Sequence, residues 1–309
     1  MHLDARDAQA TGPAARAAMR LSLIAGLLMF LGKSAAWWIT GSAAILSDAL
    51  ESVVHVAAVG FAAFSMRLSA KPADERFHYG YERIAFFSAG FEGAMIVIAA
   101  LAILWTAIQK WLTGLELERL GTGVLLVVAA AVLNGALGWH LIRTGRRTGS
   151  LILEANGRHV LTDCWTSVGV IAGLGLVLWT GWKPFDPICA ILVALQILWS
   201  GGQLMIRSMR GLLDWADPKA EQALRRHLNE LSWAEGAEWH GLRLRETGGR
   251  LLVEVHLLFP YEHTVGAAHA AATRIEEALE GALEIPVEVL THLEAREDHD
   301  GVHREPHRE

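Results

Sequence analysis

The 309-residue sequence predicts a membrane all-α fold, a six-helix transmembrane bundle, followed by a small soluble α+β domain. Three observations carry this. The chain is 52% hydrophobic, with the apolar residues concentrated before about residue 210. That part divides into six apolar windows of helix-spanning length. Beyond Asp217 the pattern changes to short alternating and helix-spaced segments.

The six windows fall at 19–40, 42–66, 85–109, 121–143, 159–182 and 186–207, each long enough to cross about 30 Å of hydrocarbon. Lys33 interrupts the first, but a long side chain can snorkel or face a polar interior, and Trp37 with Trp38 then marks an interfacial belt. Ahead of that window, Asp4, Arg6, Asp7 and Arg16 come without a small-residue cleavage site, so the first helix is expected to stay in the mature chain. With both termini on one side, that side holds Arg67, Lys71, Arg76 and Arg83 after the second helix and Arg143, Arg146, Arg147 and Arg158 around the fourth connection. The other side holds only Lys110, Arg119 and Lys183. The positive-inside rule therefore makes the termini cytoplasmic.

In the soluble part, 219–231 and 265–279 have helical spacing, 242–246 and 251–259 alternate, and 287–292 is strand-like. The expected organisation is a cytoplasmic N-terminal segment at 1–18, a transmembrane domain at 19–209, a cytoplasmic C-terminal domain at 210–296 and a disordered tail at 297–309. The tail alternates charge with His299, His303 and His307 and lacks apolar anchors.

Composition also excludes. The net charge of −6 falls mainly on the last hundred residues and no basic run interleaves with aromatics, so no nucleic-acid partner is expected. Cys164 and Cys189 are the only cysteines, both in apolar stretches. A disulfide framework or CxxC metal knuckle is excluded, and packed thiols in a reducing compartment are expected.

An ionisable side chain in hydrocarbon costs at least about 2.5 to 3.5 kcal/mol on insertion scales, so each needs a partner or a purpose. The second helix offers Glu51 and His55, the fifth His159 and Asp163, each pair four residues apart and hence on one helical face. Two such faces can close one tetrahedral site. Two imidazoles and two carboxylates suit Zn²⁺ and accept Fe²⁺, Co²⁺, Ni²⁺, Mn²⁺ or Cd²⁺. The bland alternative, interhelical hydrogen bonds, fits one pair better than two matched pairs. Asp48, one turn before Glu51, is read as structural; Glu92 and Asn134 each stand alone and are read as helix packing.

Outside the bundle, Asp74 and His78 in the loop after the second helix could bind a metal if the loop is ordered, but a capped turn is the better reading. His240, His256, His269 and His292, with Glu294, lie in different soluble elements, and His256 falls on the strand face opposite Val253 and Val255. A second metal cluster and ordinary surface histidines both remain open on this count.

These residues resemble the cation diffusion facilitator family over nearly the whole chain. The resemblance is carried by Trp37-Trp38-Ile39-Thr40-Gly41-Ser42 leading into Glu51-xxx-His55, by Pro72-Ala73-Asp74-Glu75, by His159-xxx-Asp163, and by Gly211-Leu212-Leu213-Asp214. It departs at Glu51 and His55, where members commonly carry Asp or His and then Asp. It departs also at Phe77 and Tyr81, where many carry histidines, leaving Asp74 matched and His78 one place displaced. The resemblance implies a ferredoxin-like, metallochaperone-like C-terminal domain and a transported ion on Glu51, His55, His159 and Asp163. It further implies regulatory metal on His240, His256, His269, His292 and Glu294, and a homodimer held in part by Arg83 and Asp214. The implied activity is export of a divalent transition-metal cation, Zn²⁺ by ligand chemistry, in exchange for protons that compete for the same imidazoles and carboxylates. The resemblance further implies a transporter, not an enzyme, in a bacterial inner membrane.

Overall fold

The structure, a computed structural model, describes residues 12–40, 43–113, 123–247, 250–283 and 285–298. It divides into two compact units, Asp7–Met209 and Arg210–Glu309.

The first unit is built from six long helices among the described residues: α1 (Pro13–Thr40), α2 (Ala43–Ser69), α3 (Ile84–Thr113), α4 (Gly123–Thr148), α5 (Leu151–Thr180) and α6 (Phe185–Leu212). At 1.5 Å per residue, their 26 to 30 residues cover more than the hydrocarbon thickness. Among the described residues, four stretches combine this length with sufficient apolarity to span: Pro13–Gly32, Ile84–Gln109, Leu151–Thr180 and Pro187–Leu212. Their outward faces are apolar, with Leu112, Leu178 and Trp179 each more than three-quarters exposed, a surface that lipid covers and water would not.

Small residues let the helices touch. A Cβ on Gly138 of α4 would lie 2.9 Å from the Gly157 carbonyl oxygen of α5, and one on Gly93 of α3 would lie 3.1 Å from the Met205 backbone nitrogen of α6. Without a hydrophobic drive between helices in lipid, such close backbone approach supplies the van der Waals contact that holds them. Polar links add to it: Asn156 on α5 donates to the Ser22 hydroxyl of α1 at 2.9 Å, and Ser208 on α6 donates to the Phe86 carbonyl of α3 at 2.6 Å.

Helix α5 begins eight residues before its apolar window, because its polar first turns are satisfied within the bundle. Glu154, 6% exposed, faces three guanidinium groups: Arg158 at 2.9 Å, Arg207 of α6 at 2.7 Å and Arg146 of α4 at 3.7 Å. Hydropathy counts these residues against a spanning helix, whereas their mutual pairing keeps them in one.

The second unit runs α7 (Pro218–Ala234), β1 (Glu238–Glu246), β2 (Leu251–Phe259), α8 (Val265–Glu280), β3 (Val287–Ala295) and a short 3₁₀ turn (Arg296–Asp298). Asp217 caps α7 by accepting the Lys219 amide, with Pro218 as first helical residue, and Thr264 caps α8 through the Ala267 amide. Strand β2 is central, antiparallel to β1 and parallel to β3, with α8 as the crossover between the parallel strands. One sheet face packs Val253, Val255 and Leu257 against Leu224, Leu228, Ile275 and Leu279 of the two helices. Strand β1 starts four residues earlier than the alternation at 242–246 predicts. A register shift between His240 and Arg243, where Gly241 has φ +65°, breaks the pattern that sequence alone can follow.

Candidate functional site

In the membrane unit, α2, α3 and α5 pack on one another, and three candidate side chains from α2 and α5 come together. His55 of α2 and His159 of α5 stack with ring centroids 5.2 Å apart and planes 19° from parallel. His55 Nδ1 lies 3.7 Å from Asp163 Oδ2, one turn beyond His159. These rings are mostly buried, at 16% and 12% exposure, while Asp163 is 43% exposed. Glu51 and Asp48, both on α2, fall outside the residues whose side chains the structure describes. Asn134 is half-buried on α4.

The separations have chemical meaning. A nitrogen–oxygen gap of 3.7 Å is too long for a hydrogen bond. Two ligands on one tetrahedral zinc, with bonds of about 2.0 to 2.1 Å, sit about 3.4 Å apart. The His55–Asp163 gap is thus a few tenths of an ångström wider than a shared ion requires.

Glu92 was read from the sequence as a helix-packing residue, and the structure shows what it packs against. It projects from α3 with its carboxyl wholly buried, Oε2 lies 3.8 Å from His159 Nδ1, and both its oxygens lack a hydrogen-bond partner among the described residues. Its sequence signal is a charge inside an apolar window with no second ligand-type residue on the same helix face.

The loop at 71–81 places Asp74 and His78 in different roles. Asp74 accepts the Tyr81 hydroxyl at 2.6 Å, the Lys71 ammonium at 3.1 Å and the Arg76 and Phe77 amides at 3.0 Å. The Tyr81 hydrogen bond first, and then those of the Arg76 amide, Lys71 and the Phe77 amide, hold its carboxyl well below the usual carboxylate range. His78 is exposed, its Nε2 3.0 Å from the Glu75 carbonyl. The arrangement is a turn closed by one carboxylate.

In the soluble unit the strand register lines up three histidines. His240 of β1 is opposite His256 of β2, which is opposite His292 of β3. Residues paired across strands share a face, so the three imidazoles form one row on the face away from the core, with Glu294, two residues after His292, on the same side. Glu294, 5% exposed, lies 2.6 Å from His256 Nδ1, 3.1 Å from His240 Nε2 and 3.7 Å from His292 Nε2. Ligand atoms of His240, His256 and Glu294 fall within 4.8 Å of one another, a donor set that fits a divalent transition metal. His269 is exposed on α8 and falls outside the group of His240, His256 and Glu294. Arg83, just before α3, is half-buried, and Asp214 adopts φ +55° just after α6.

A bundle of apolar helices with imidazoles and carboxylates turned inward, joined to a histidine-bearing α+β domain, defines an integral membrane protein of cation-transport type. Residues 19–213 match the cation efflux transmembrane domain and residues 216–296 the cation efflux protein cytoplasmic domain. The chain belongs to the cation diffusion facilitator family. It is 37% identical over 283 residues to an uncharacterized transporter, sll1263, of Synechocystis, covering 90% of this chain and 89% of the relative. It is 29% identical to the cation-efflux pump FieF of Citrobacter koseri and 28% identical to that of Escherichia coli, each over 85% of this chain and 87% of the relative.

Proposed function

We propose that this protein exports divalent transition-metal cations, Zn²⁺ first by ligand chemistry, from the cytoplasm by alternating access with protons as counter-ions. The substrate ligands are Glu51, His55, His159 and Asp163. The observation that carries this reading is the convergence of His55, His159 and Asp163 from two helices, with His55 Nδ1 and Asp163 Oδ2 a few tenths of an ångström beyond the spacing of two ligands on one ion. Protons and metal compete for the same lone pairs, which couples the two gradients. The FieF relatives, named cation-efflux pumps, support the direction of transport.

The protein works as a homodimer in a bacterial inner membrane with both termini cytoplasmic, a topology supported by the basic residues crowding one end of the helices. Arg83 and Asp214 contribute to holding the protomers together. His240, His256, His292 and Glu294 take a regulatory metal that orders the C-terminal domain and favours the transporting state.

The test is uptake of Zn²⁺, Fe²⁺, Co²⁺, Ni²⁺, Mn²⁺ and Cd²⁺ by proteoliposomes under an imposed pH gradient. Gradient-dependent flux is expected. Metal binding without flux in any of the six would instead make the protein a membrane-tethered metal sensor.

A further inference from the structure

We infer that Glu92 is a ligand of the transported ion, and that this additional carboxylate widens the site toward ions that take five or six ligands, Mn²⁺, Fe²⁺ and Co²⁺. The inference rests on the transport site proposed above and adds a donor from a third helix.

Glu92 is a wholly buried carboxyl in an apolar bundle, with neither oxygen hydrogen-bonded among the described residues. An isolated buried carboxylate is too costly to keep without compensation. What it faces is the Nδ1 atom of His159 at 3.8 Å, a nitrogen that likewise has no hydrogen-bond partner. This gap nearly equals the 3.7 Å between His55 Nδ1 and Asp163 Oδ2. Each imidazole is thus matched with one carboxylate, at a spacing beyond hydrogen bonding and a few tenths of an ångström above that of two ligands on one ion. The stacked rings, 5.2 Å apart, place the two pairs side by side. A cation entering between them meets two nitrogens and two carboxylates before Glu51 is counted.

With Glu51 the set becomes two imidazoles and three carboxylates. Tetrahedral Zn²⁺ is satisfied by four donors, whereas oxygen-rich sets of higher coordination number suit Mn²⁺ and non-haem Fe²⁺. Glu92 accordingly sets which ions are carried, more than whether any is.

The test compares wild type, Glu92→Gln and His159→Ala in proteoliposomes, each loaded separately with Zn²⁺, Mn²⁺, Fe²⁺ and Co²⁺ under the same pH gradient. Because even partners of metal ligands change affinity by about 10- to 100-fold, Glu92→Gln is expected to lower Mn²⁺, Fe²⁺ and Co²⁺ flux at least about tenfold while Zn²⁺ flux changes far less. Retained Zn²⁺ flux also reports that the variant folds. An equal effect on all four ions, including no effect, overturns the inference. Should His159→Ala retain full flux, the transport site itself is misassigned, a failure distinct from that of Glu92. As a check independent of any Glu92 variant, Co²⁺ bound to full-length protein carrying His240→Ala, His256→Ala and His292→Ala is read by its d–d absorption. A weak five-coordinate band supports the inference and an intense tetrahedral band refutes it.

Discussion

Replacing Glu294 with glutamine should remove most of the zinc-dependent stability of the C-terminal unit. The carboxylate is 5% exposed and touches His256 at 2.6 Å and His240 at 3.1 Å, so in the proposed regulatory site it serves both as the anionic ligand and as the group that orients two imidazoles. A ligand that binds only the folded form at 100 times its Kd stabilises by about 2.7 kcal/mol. If losing the carboxylate weakens binding about 100-fold, the upper end for partners of metal ligands, the same zinc concentration then gives about 0.4 kcal/mol. The difference, about 2.3 kcal/mol, corresponds to roughly 9 to 18 °C in a domain of this size. The assay is thermal unfolding of residues 210–309 followed by far-ultraviolet circular dichroism, with and without zinc, because this unit has a core of its own. The comparison is the zinc-induced gain in Tm, which cancels the change in the metal-free protein caused by losing a charge-assisted hydrogen bond. Equal gains in wild type and variant would refute the role given to Glu294.

Three further outcomes are expected. His159→Ala or Asp163→Ala abolishes metal flux in proteoliposomes while membrane insertion and dimer size, measured by gel filtration in detergent, stay unchanged. Gly138→Leu puts atoms where the Gly157 carbonyl oxygen already sits 2.9 Å from a bare Cβ, so α4 and α5 must part; a cost of about 1 to 3 kcal/mol should appear as a lower midpoint in detergent unfolding. Asp74, whose carboxyl is held below the usual carboxylate range, remains ionised as pH falls from 7 to 5. A depressed folded-state pKa confers its full stabilisation above the ordinary carboxylate value; that stabilisation fades as pH falls from there and is gone once the folded pKa is passed. Amide exchange at Arg76 and Phe77, corrected for intrinsic pH dependence, should therefore match at the two pH values and accelerate in Asp74→Ala.

The bundle was legible because lipid imposes a simple rule, about twenty apolar residues per crossing, and the sequence obeys it in six places. The rule fails at the start of α5, where Glu154 and Arg158 are polar in sequence but paired in space. The soluble fold was legible from periodicity, except at β1, where a bulge at Gly241 breaks the alternation and leaves His240 seemingly outside the strand. The spacing of His55 and of His159 with Asp163 announced one helix face each, since i and i+4 need no tertiary knowledge. The role proposed for Glu92 could not be read this way, because it rests on the distance to His159 on another helix. Likewise, three histidines separated by 16 and 36 residues become a row only when strand register is known.

The knot of Glu154 with Arg146, Arg158 and Arg207 ties α4, α5 and α6 at one end. A rod pinned near one end amplifies rotation along its length. Asp163 lies nine residues along α5 from Glu154, roughly 13 Å, and Thr180 lies 26 residues along, roughly 39 Å. A tilt of about 5° about the pin would move Asp163 by about 1 Å and the far end by about 3 Å. The smaller movement already exceeds the few tenths of an ångström separating the observed ligand gaps from those of a bound ion, so slight leverage about this clasp is enough to tighten or slacken the grip on the cargo.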